Sequence, residues 1–290
     1  MKTAASVLFA LAAAAMFGAS SVLQHAAASE ETDAPMLRLG LLRRLVRRRR
    51  WIAGFALSGF SFCVQGVALL FGPLALVQPV AAADLLFAMP LMARRERLRL
   101  SSIDWLGGGL VVGGIAAFLA LSPPTAGQAV PPLSDWLPAL VAVAAVAGTA
   151  GPLALRSSPR VRTALLATGA AALFSLLDAL TKSVVDLLGA NGTDAFLHWE
   201  PYALAVVGLT GMLYAQSAFR SGSLLVSLPI IDSLEPVGAV VIGLTIFGER
   251  LASSLLLFAL QVAAGALAVA GIFVLDRSPL MASLQETEAG

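Results

Sequence analysis

The sequence predicts an all-α integral membrane protein with about nine transmembrane helices in two inverted repeats. Three observations predict this fold: an apolar composition, a series of apolar stretches near twenty residues long, and motifs that recur in the second half. Of the 290 residues, 58% are hydrophobic and only 12% are charged, whereas a typical soluble domain has about 25% charged residues. The composition therefore leaves no room for a separate soluble domain.

Apolar stretches of about twenty residues, the length that crosses a bilayer as a helix, define the predicted spans. They cover residues 3–28, 51–71, 73–92, 103–121, 136–155, 163–188, 201–219, 223–247 and 255–275. A tryptophan lies at or just before the start of four of them, at Trp51, Trp105, Trp136 and Trp199. Because tryptophan prefers the membrane interface, these positions are predicted to lie near the membrane surfaces.

The first stretch has a second interpretation. Lys2, the apolar run and Ala26-Ala27-Ala28 before Ser29 are also typical of a secretory signal peptide with its cleavage site. Residues 1–28 are therefore either the first helix or a cleaved leader. The repeat described below favours the helix.

The distribution of basic residues predicts the orientation of the chain. Seventeen arginines but only two lysines occur, and the arginines concentrate in alternate loops, at 36–50, 94–99 and 156–162. The intervening loops 122–135 and 189–200 contain no lysine or arginine. Since basic loops stay in the cytoplasm, nine spans predict a cell-membrane protein with its N-terminus outside and its C-terminus cytoplasmic. Segment 36–50 is interpreted as an orientation anchor that is also able to bind anionic lipid.

The stretch from Gly222 to Leu251 carries the strongest signal of a functional site. It contains two acids, Asp232 and Glu235, and two prolines, Pro229 and Pro236. A charge at the bilayer centre costs about 2.5–3.5 kcal/mol on insertion scales, so intramembrane acids usually have a function. Helix breaks beside acids are typical of a substrate or ion site near the midplane. The alternative is a kinked helix whose acids pair with a neighbouring group.

Motifs of the first half recur in the second half in the same order. AAAMF at 13–17 matches AAALF at 170–174, and the third and eighth stretches open alike, with Gly72, Leu74 and Pro79 matching Gly222, Leu224 and Pro229. Gly108 and Gly114 of the fourth stretch match Gly265 and Gly271 of the ninth.

Because five helices precede the second copy, the copies are predicted to have opposite orientations, as in many alternating-access transporters. The first repeat spans 1–155, the second 156–277, and a short tail follows at 278–290. The alignment brings Asp84 to within about a residue of Glu235.

Other polar residues fall inside predicted spans. Asp178, Lys182 and Asp186 lie four residues apart on one helix face, so they form either an ion-paired triad or part of the site. Glutamines such as Gln216 and Gln261 are interpreted as hydrogen-bonding groups between helices. His25 and His198 lie near predicted membrane edges and are expected to be solvated.

Several of these motifs resemble the C-terminal repeat of the drug/metabolite transporter (DMT) superfamily, EamA-like. The matching residues are Leu234-Glu235-Pro236-Val237, Gly248-Glu249-Arg250-Leu251, Gly265 and Gly271-Ile272. The first half is similar to the NIPA-type magnesium transporter branch, through Ala68, Phe71, Pro73, Leu76-Val77 and Pro79, with Glu96 and Leu98. Superfamily members typically have ten helices. A count of nine with a basic first loop is closer to the NIPA-like branch.

The resemblance implies a multi-pass secondary transporter that moves a small molecule or ion across the plasma membrane. The candidate substrate- or ion-binding residues are Asp84, Asp178, Lys182, Asp232 and Glu235. If the cargo is Mg²⁺, Asp232 and Glu235 supply the oxygen ligands that this ion requires. The same pair also fits proton coupling in a transporter of organic cations or metabolites.

Two other classes of function are a membrane-embedded enzyme and a membrane scaffold. An enzyme is not predicted, because the sequence has neither H-E-x-x-H nor G-x-S-x-G. A P-loop is also absent, so no ATP-driven pump is expected. A scaffold that binds anionic lipid through Arg47 to Arg50 remains an alternative. No cofactor and no nucleic-acid partner are predicted, whereas membrane lipid and a second copy of the chain are partners that the sequence allows.

Overall fold

The computed structural model describes residues 2–31, 35–71, 80, 83–121, 131–247 and 255–280. Some residues used in the sequence comparison lie outside these ranges. They include Pro79 and the Glu249-Arg250-Leu251 motif. Most of the Pro-rich loop 122–135 and most of the tail 278–290 also lie outside the described residues.

The described part of the chain is helical and contains no strand. Its α-helices are α1 (Lys2–Ser29), α2 (Leu39–Leu45), α3 (Arg49–Phe71), α4 (Asp84–Arg95), α5 (Ser102–Ala120), α6 (Leu133–Leu155), α7 (Pro159–Asn191), α8 (Glu200–Ser221), α9 (Leu224–Ile246) and α10 (Leu255–Asp276). A 3₁₀ helix, Gly192–Leu197, follows α7.

The predicted all-α fold is confirmed for the described residues, and its long apolar helices are compatible with a membrane protein. Within the described ranges, eight helices are long and apolar enough to cross a membrane. They are α1, α3 and α5 to α10, and each overlaps a predicted span. Of the predicted span 73–92, the structure describes the helix Asp84–Arg95, which ends three residues later than expected.

Local sequence explains several helix ends. Ser101 and Asp104 form a capping box at the start of α5, in which each side chain satisfies a backbone amide of the other. Pro159 occupies the first turn of α7, where its missing amide hydrogen is not needed. The Ser223 side chain accepts a hydrogen bond from the Leu225 amide at the start of α9. Gly192, at φ 56°, follows the end of α7.

Helix α7 is the most enclosed of the candidate spans and packs against α6, α8 and α9. On the other side of the bundle, α1 packs against α3, α4 and α8. Large apolar side chains such as Phe60, Val141, Leu256 and Phe273 are exposed on the outer faces of the helices. A surface of this kind suits lipid contact rather than water.

Helices α5 and α10 make a close, antiparallel contact through two glycines. A Cβ atom at Gly114 would lie 2.5 Å from the Ala268 nitrogen and 2.7 Å from the Ala264 oxygen. A Cβ atom at Gly271 would lie 2.5 Å from the Val111 nitrogen and 2.8 Å from the Gly107 oxygen. The two backbones therefore touch at both places, which only glycine allows.

The basic segment 36–50 contains the short helix α2, which packs against α8. Its leucines Leu41, Leu42 and Leu45 are buried, whereas its arginines Arg43 and Arg44 are exposed. The leucine face of α2 is thus covered by protein. The arginine face stays available to an anionic surface.

Candidate functional site

Four of the predicted site acids converge in the structure. Asp232 and Glu235 lie on α9, Asp84 begins α4, and Asp178 lies on α7. The carboxyl group of Asp84 is an electrostatic neighbour of both Asp232 and Glu235. Glu235 is in turn a neighbour of Asp178, and Asp232 of Glu235. We call these four residues the acid cluster.

Small residues allow the three acid-bearing helices to approach closely. The Ser175 hydroxyl of α7 lies 2.8 Å from the Glu235 carbonyl oxygen of α9, and a Cβ atom at Gly238 would collide with Ser175. At Gly18 of α1, a Cβ atom would collide with the Asp84 carbonyl oxygen of α4. The backbone of each acid-bearing region of α4 and α9 thus rests against a small residue of another helix, which fixes its position.

The acids differ in their surroundings. Asp84 is buried, and its Oδ1 accepts a hydrogen bond of 2.7 Å from the Leu85 amide. Asp232 and Glu235 are partly exposed, and Asp178 is exposed. The Oδ2 atom of Asp232 is buried without a hydrogen-bond partner among the described residues. An ionised oxygen in such a place is costly, so it favours a proton or a cation as its partner.

The structure corrects the expectation of helix breaks at the prolines. Helix α9 runs without interruption from Leu224 to Ile246, through Pro229 and Pro236. Proline still has no amide hydrogen, so the carbonyl oxygens of Leu225 and Asp232 cannot receive the usual helical bond from it. The backbone oxygen of Asp232 is therefore a further polar atom beside the carboxylates.

Lys182 of α7 lies beside the end of α9. Its Nζ lies 4.1 Å from the centre of the Phe247 ring. Other ion pairs between described residues join Arg48 to Glu31, Arg50 to Glu30 and Arg95 to Glu96.

An aromatic cluster supports this ring. The Trp136 ring packs edge-on against Phe247, with 5.8 Å between ring centres, and edge-on against Trp199 at 5.4 Å. Trp136 and Phe247 are fully buried. The Trp136 ring fills the space between α6 and the end of α9.

A buried polar network links α1, α3 and α8. The Trp51 indole donates to the Gln216 side chain at 3.0 Å, and Gln216 donates to Gln24 at 2.8 Å. Gln24 donates to Ser20, whose hydroxyl donates to the Gly54 carbonyl oxygen. The expectation for Gln216 as a group bonded between helices is confirmed. So is that for Gln261, which donates to the Leu121 carbonyl oxygen at 2.7 Å.

The solvated state expected for His25 is wrong, and Trp51 is likewise enclosed by protein. The Trp51 side chain is buried, and its indole N–H donates to Gln216 inside the bundle. His25 is also buried, and its Nε2 lies 3.0 Å from the Gly222 carbonyl oxygen, between α8 and α9. His198 is exposed, as expected. A lone histidine near a helix end carries no sequence signal that separates these two situations.

The described residues hold no group of three or more His, Cys, Asp or Glu side chains arranged to bind a metal ion. Magnesium often keeps several waters and uses one or two protein carboxylates. The pair Asp232 and Glu235 would suffice for such a hydrated ion.

The chain is 32% identical to an uncharacterized protein of Corynebacterium glutamicum over 246 residues. The match covers 84% of this chain and 85% of that protein. No protein-family profile matches the chain. No solved structure matches it.

Proposed function

The chain belongs to the same family as the uncharacterized protein of Corynebacterium glutamicum, and we propose that it is a secondary transporter of the DMT superfamily, EamA-like. It moves a small solute across the cell membrane by alternating access. The observation that carries this proposal is the acid cluster, in which three helices bring four carboxyl groups together. It is not an enzyme, and membrane lipid is its surrounding partner.

The acid cluster has an unfavourable free energy inside a membrane. Each carboxylate there is destabilising unless it contacts a counter-charge, a proton or water. Four neighbouring carboxyl groups raise that cost further because like charges repel. A fold that keeps them together gains a site that binds cations or protons and releases them when water enters. This property is what a cation carrier or a proton-coupled carrier needs.

Helix packing supports two inverted repeats, 1–155 and 156–277. Gly114 of α5 and Gly271 of α10 are equivalent in the sequence repeat, and their contacts are reciprocal: Gly114 meets Ala264 and Ala268, while Gly271 meets Gly107 and Val111. Residues 107 and 111 are themselves equivalent to 264 and 268. Such an antiparallel, reciprocal contact is what a two-fold axis in the membrane plane produces.

The remaining helices repeat the same pattern. Helix α1 packs against α3 and α4, and α7, its counterpart, packs against α8 and α9. Gly18 of α1 meets the backbone of Asp84, and Ser175 of α7, its equivalent, bonds the backbone of Glu235. Each repeat thus contributes an acid-bearing helix that rests on a small residue of its first helix. The proposed transport motion is a rocking of one repeat against the other around the acid cluster.

The positions of the arginines support an orientation with the N-terminus outside and the C-terminus in the cytoplasm. In this orientation α2 and its exposed arginines lie at the cytoplasmic surface. The reciprocal α5–α10 contact would then sit within the membrane. The chain is also able to form a homodimer through its exposed apolar faces.

Two kinds of cargo fit the acid cluster. One is Mg²⁺ or another divalent cation, as the NIPA-like resemblance implies, bound through Asp232 and Glu235 with part of its water shell. The other is an organic cation or metabolite exchanged for protons that the same carboxyl groups bind. Both assignments use negative charge at the same place, so a transport assay must separate them.

The test is uptake into proteoliposomes that contain the purified chain. Mg²⁺ is offered first, and organic cations and metabolites are offered next under an imposed proton gradient. We expect uptake of at least one of these cargoes to exceed that of empty liposomes. It should fall when Asp84 is changed to Asn but not when Asp186, outside the acid cluster, is changed to Asn. Loss of uptake in both variants, or in neither, would contradict the proposed site.

A lipid-binding scaffold is the second candidate. The exposed arginines of 36–50, including Arg43, Arg44 and Arg47, favour it. Part of this charge is used internally, because Arg48 pairs with Glu31 at 2.6 Å and Arg50 with Glu30 at 2.7 Å. A scaffold would keep its function when the acid cluster is neutralised and lose it when Arg43, Arg44 and Arg47 are changed to Gln.

A further inference from the structure

Side-chain hydrogen bonds join the two halves of the chain at the end of the bundle that carries α2. Gln216 of α8 donates to Gln24 of α1 at 2.8 Å and accepts from the Trp51 indole of α3 at 3.0 Å. The His25 ring of α1 lies 3.0 Å from the Gly222 carbonyl oxygen, between α8 and α9. We call these five residues the polar layer.

We propose that the polar layer is a gate, which separates the acid cluster from the cytoplasm and opens when the repeats rock. This inference rests on the proposed transport function and names the contacts that the motion must break. Gln24, His25 and Trp51 belong to the first repeat, whereas Gln216 and Gly222 belong to the second. Each of the three contacts therefore joins one repeat to the other.

The polar layer lies between the acid cluster and the α2 end of the bundle. Gly18 of α1 touches the backbone of Asp84, and Gln24 follows Gly18 at a distance of about 9 Å along the helix. On α9, about 12 Å of helix separates Leu224 from Asp232. The four side chains that form the contacts of the layer are buried, so the helices are closed around it.

The chemistry of the polar layer suits a contact that opens and closes. When the repeats separate, water replaces each lost hydrogen bond, so the net cost of opening is small. An apolar contact of the same size would instead expose hydrophobic surface to water. The Nδ1 atom of His25 is buried and has no hydrogen-bond partner among the described residues. Water that enters on opening would satisfy this atom, which brings the open and closed states closer in free energy.

The contact between α5 and α10 has the opposite character. At Gly114 and Gly271 the backbones of the two helices touch directly. Separation there would lose close packing that water does not replace. We therefore expect this contact to stay closed and to serve as the axis of the motion, while the polar layer opens.

The first test measures access to the space behind the gate and needs no cargo. Ser21 is buried and lies on α1 between Gly18 and His25, on the same helix face. In a Cys63→Ser background, Ser21→Cys is the only cysteine. Its labelling by a charged, membrane-impermeant methanethiosulfonate is followed in sealed vesicles that expose the α2 end. We expect slow labelling, and labelling at least tenfold faster once Gln216→Ala removes both bonds of that side chain.

Three controls separate opening of the gate from loosening of the whole bundle. Arg47→Cys, at an exposed position, identifies vesicles whose α2 end faces the reagent. Tyr214→Phe removes another interhelical bond of α8, to the Ala147 carbonyl oxygen, and should leave labelling slow. Leu176→Cys, buried on α7, reports unfolding and should stay unlabelled in the alanine variant. No acceleration in the alanine variant, or an equal rise in either of the last two controls, would overturn the proposal.

The second test asks whether transport requires the gate to open. Gln24→Cys with Gln216→Cys, again with Cys63→Ser, places two thiols across the polar layer, and a short bifunctional methanethiosulfonate joins them. Mg²⁺ and tetraphenylphosphonium are offered to proteoliposomes. Uptake of the transported cation should fall at least tenfold on cross-linking and return after reduction, whereas each single-cysteine variant should be unaffected by the reagent.

The outcomes distinguish the gate from the transport function. Continued uptake by the cross-linked protein would overturn the gate while the transport function stands. If the parent transports neither cation, the transport proposal fails for these cargoes. The labelling rates at Ser21→Cys then still decide whether the polar layer opens.

Discussion

The contact between α5 and α10 gives a prediction whose size follows from the geometry. An alanine at Gly114 would bring its Cβ to 2.5 Å from the Ala268 nitrogen and 2.7 Å from the Ala264 oxygen. Both neighbours are backbone atoms that cannot rotate away, so the two helices must separate by roughly an ångström. Overpacking of this kind costs about 1–3 kcal/mol. The gain of about 0.5–1 kcal/mol from replacing a helical glycine offsets only part of it.

Neighbouring glycines provide matched controls. A Cβ atom at Gly113 or at Gly265 would meet no atom within 4 Å. We expect Gly113→Ala and Gly265→Ala to leave the free energy of unfolding unchanged or to raise it slightly. Gly114→Ala and Gly271→Ala should each lower it by about 1–3 kcal/mol relative to these controls. The two effects should be similar, because the contacts are reciprocal.

The assay is reversible unfolding in mixed detergent micelles, followed by circular dichroism. The double variant Gly114→Ala with Gly271→Ala should lower the free energy of unfolding by less than the sum of the two single losses. Once one alanine has separated the helices, the second meets more space, so the two positions couple. Equal costs at Gly113 and Gly114, or full additivity of the two close-contact positions, would refute this account of the interface.

Three further predictions concern other contacts. Gln216→Leu leaves the Trp51 indole and the Gln24 amide without their partner, so it should lower the free energy of unfolding by about 1–3 kcal/mol in the same assay; no loss would show that the network is not stabilising. Ser175→Ala removes the hydroxyl that donates to the Glu235 carbonyl oxygen and should lower the free energy of unfolding by about 0.5–1.5 kcal/mol. An unchanged free energy of unfolding would contradict a stabilising role of that hydrogen bond. Asp178→Asn should reduce cargo uptake at least several-fold while leaving unfolding unchanged, and normal uptake would remove Asp178 from the site.

Apolar length and periodicity predicted the helices well. The eight candidate spans overlap stretches read from the sequence because a bilayer-crossing helix needs about twenty apolar residues wherever it occurs. The expectation of helix breaks at Pro229 and Pro236 failed because a spanning helix tolerates a missing amide bond where other helices surround its backbone. Helix α9 has such a neighbour in α7, whose Ser175 hydroxyl donates to the Glu235 carbonyl oxygen. Local sequence contains no information about such a neighbour on another helix.

The convergence of the acids could be anticipated only in part. Asp84 and Glu235 were linked by the internal repeat, and Asp178 was noted because a charge in a membrane span is rare. The contact between Phe247 and Lys182 left no signal in the sequence, since Phe247 is one more apolar residue at the end of an apolar helix. This contact depends on how α7 and α9 pack, which tertiary structure decides. The contact of Trp136 with Phe247 depends on tertiary packing in the same way.

The central claim is that the acid cluster binds the cargo. The most direct measurement compares Mg²⁺ uptake into proteoliposomes by the parent chain and by the double variant Asp232→Asn, Glu235→Gln. The Oδ2 atom of Asp232 has no hydrogen-bond partner among the described residues, so the change to Asn breaks no described hydrogen bond at this atom. We expect uptake by the parent and its loss in a folded double variant. For a parent that moves another cation, the same comparison is made with that cation. Equal uptake by both proteins would contradict the assignment of the acid cluster as the cargo-binding site.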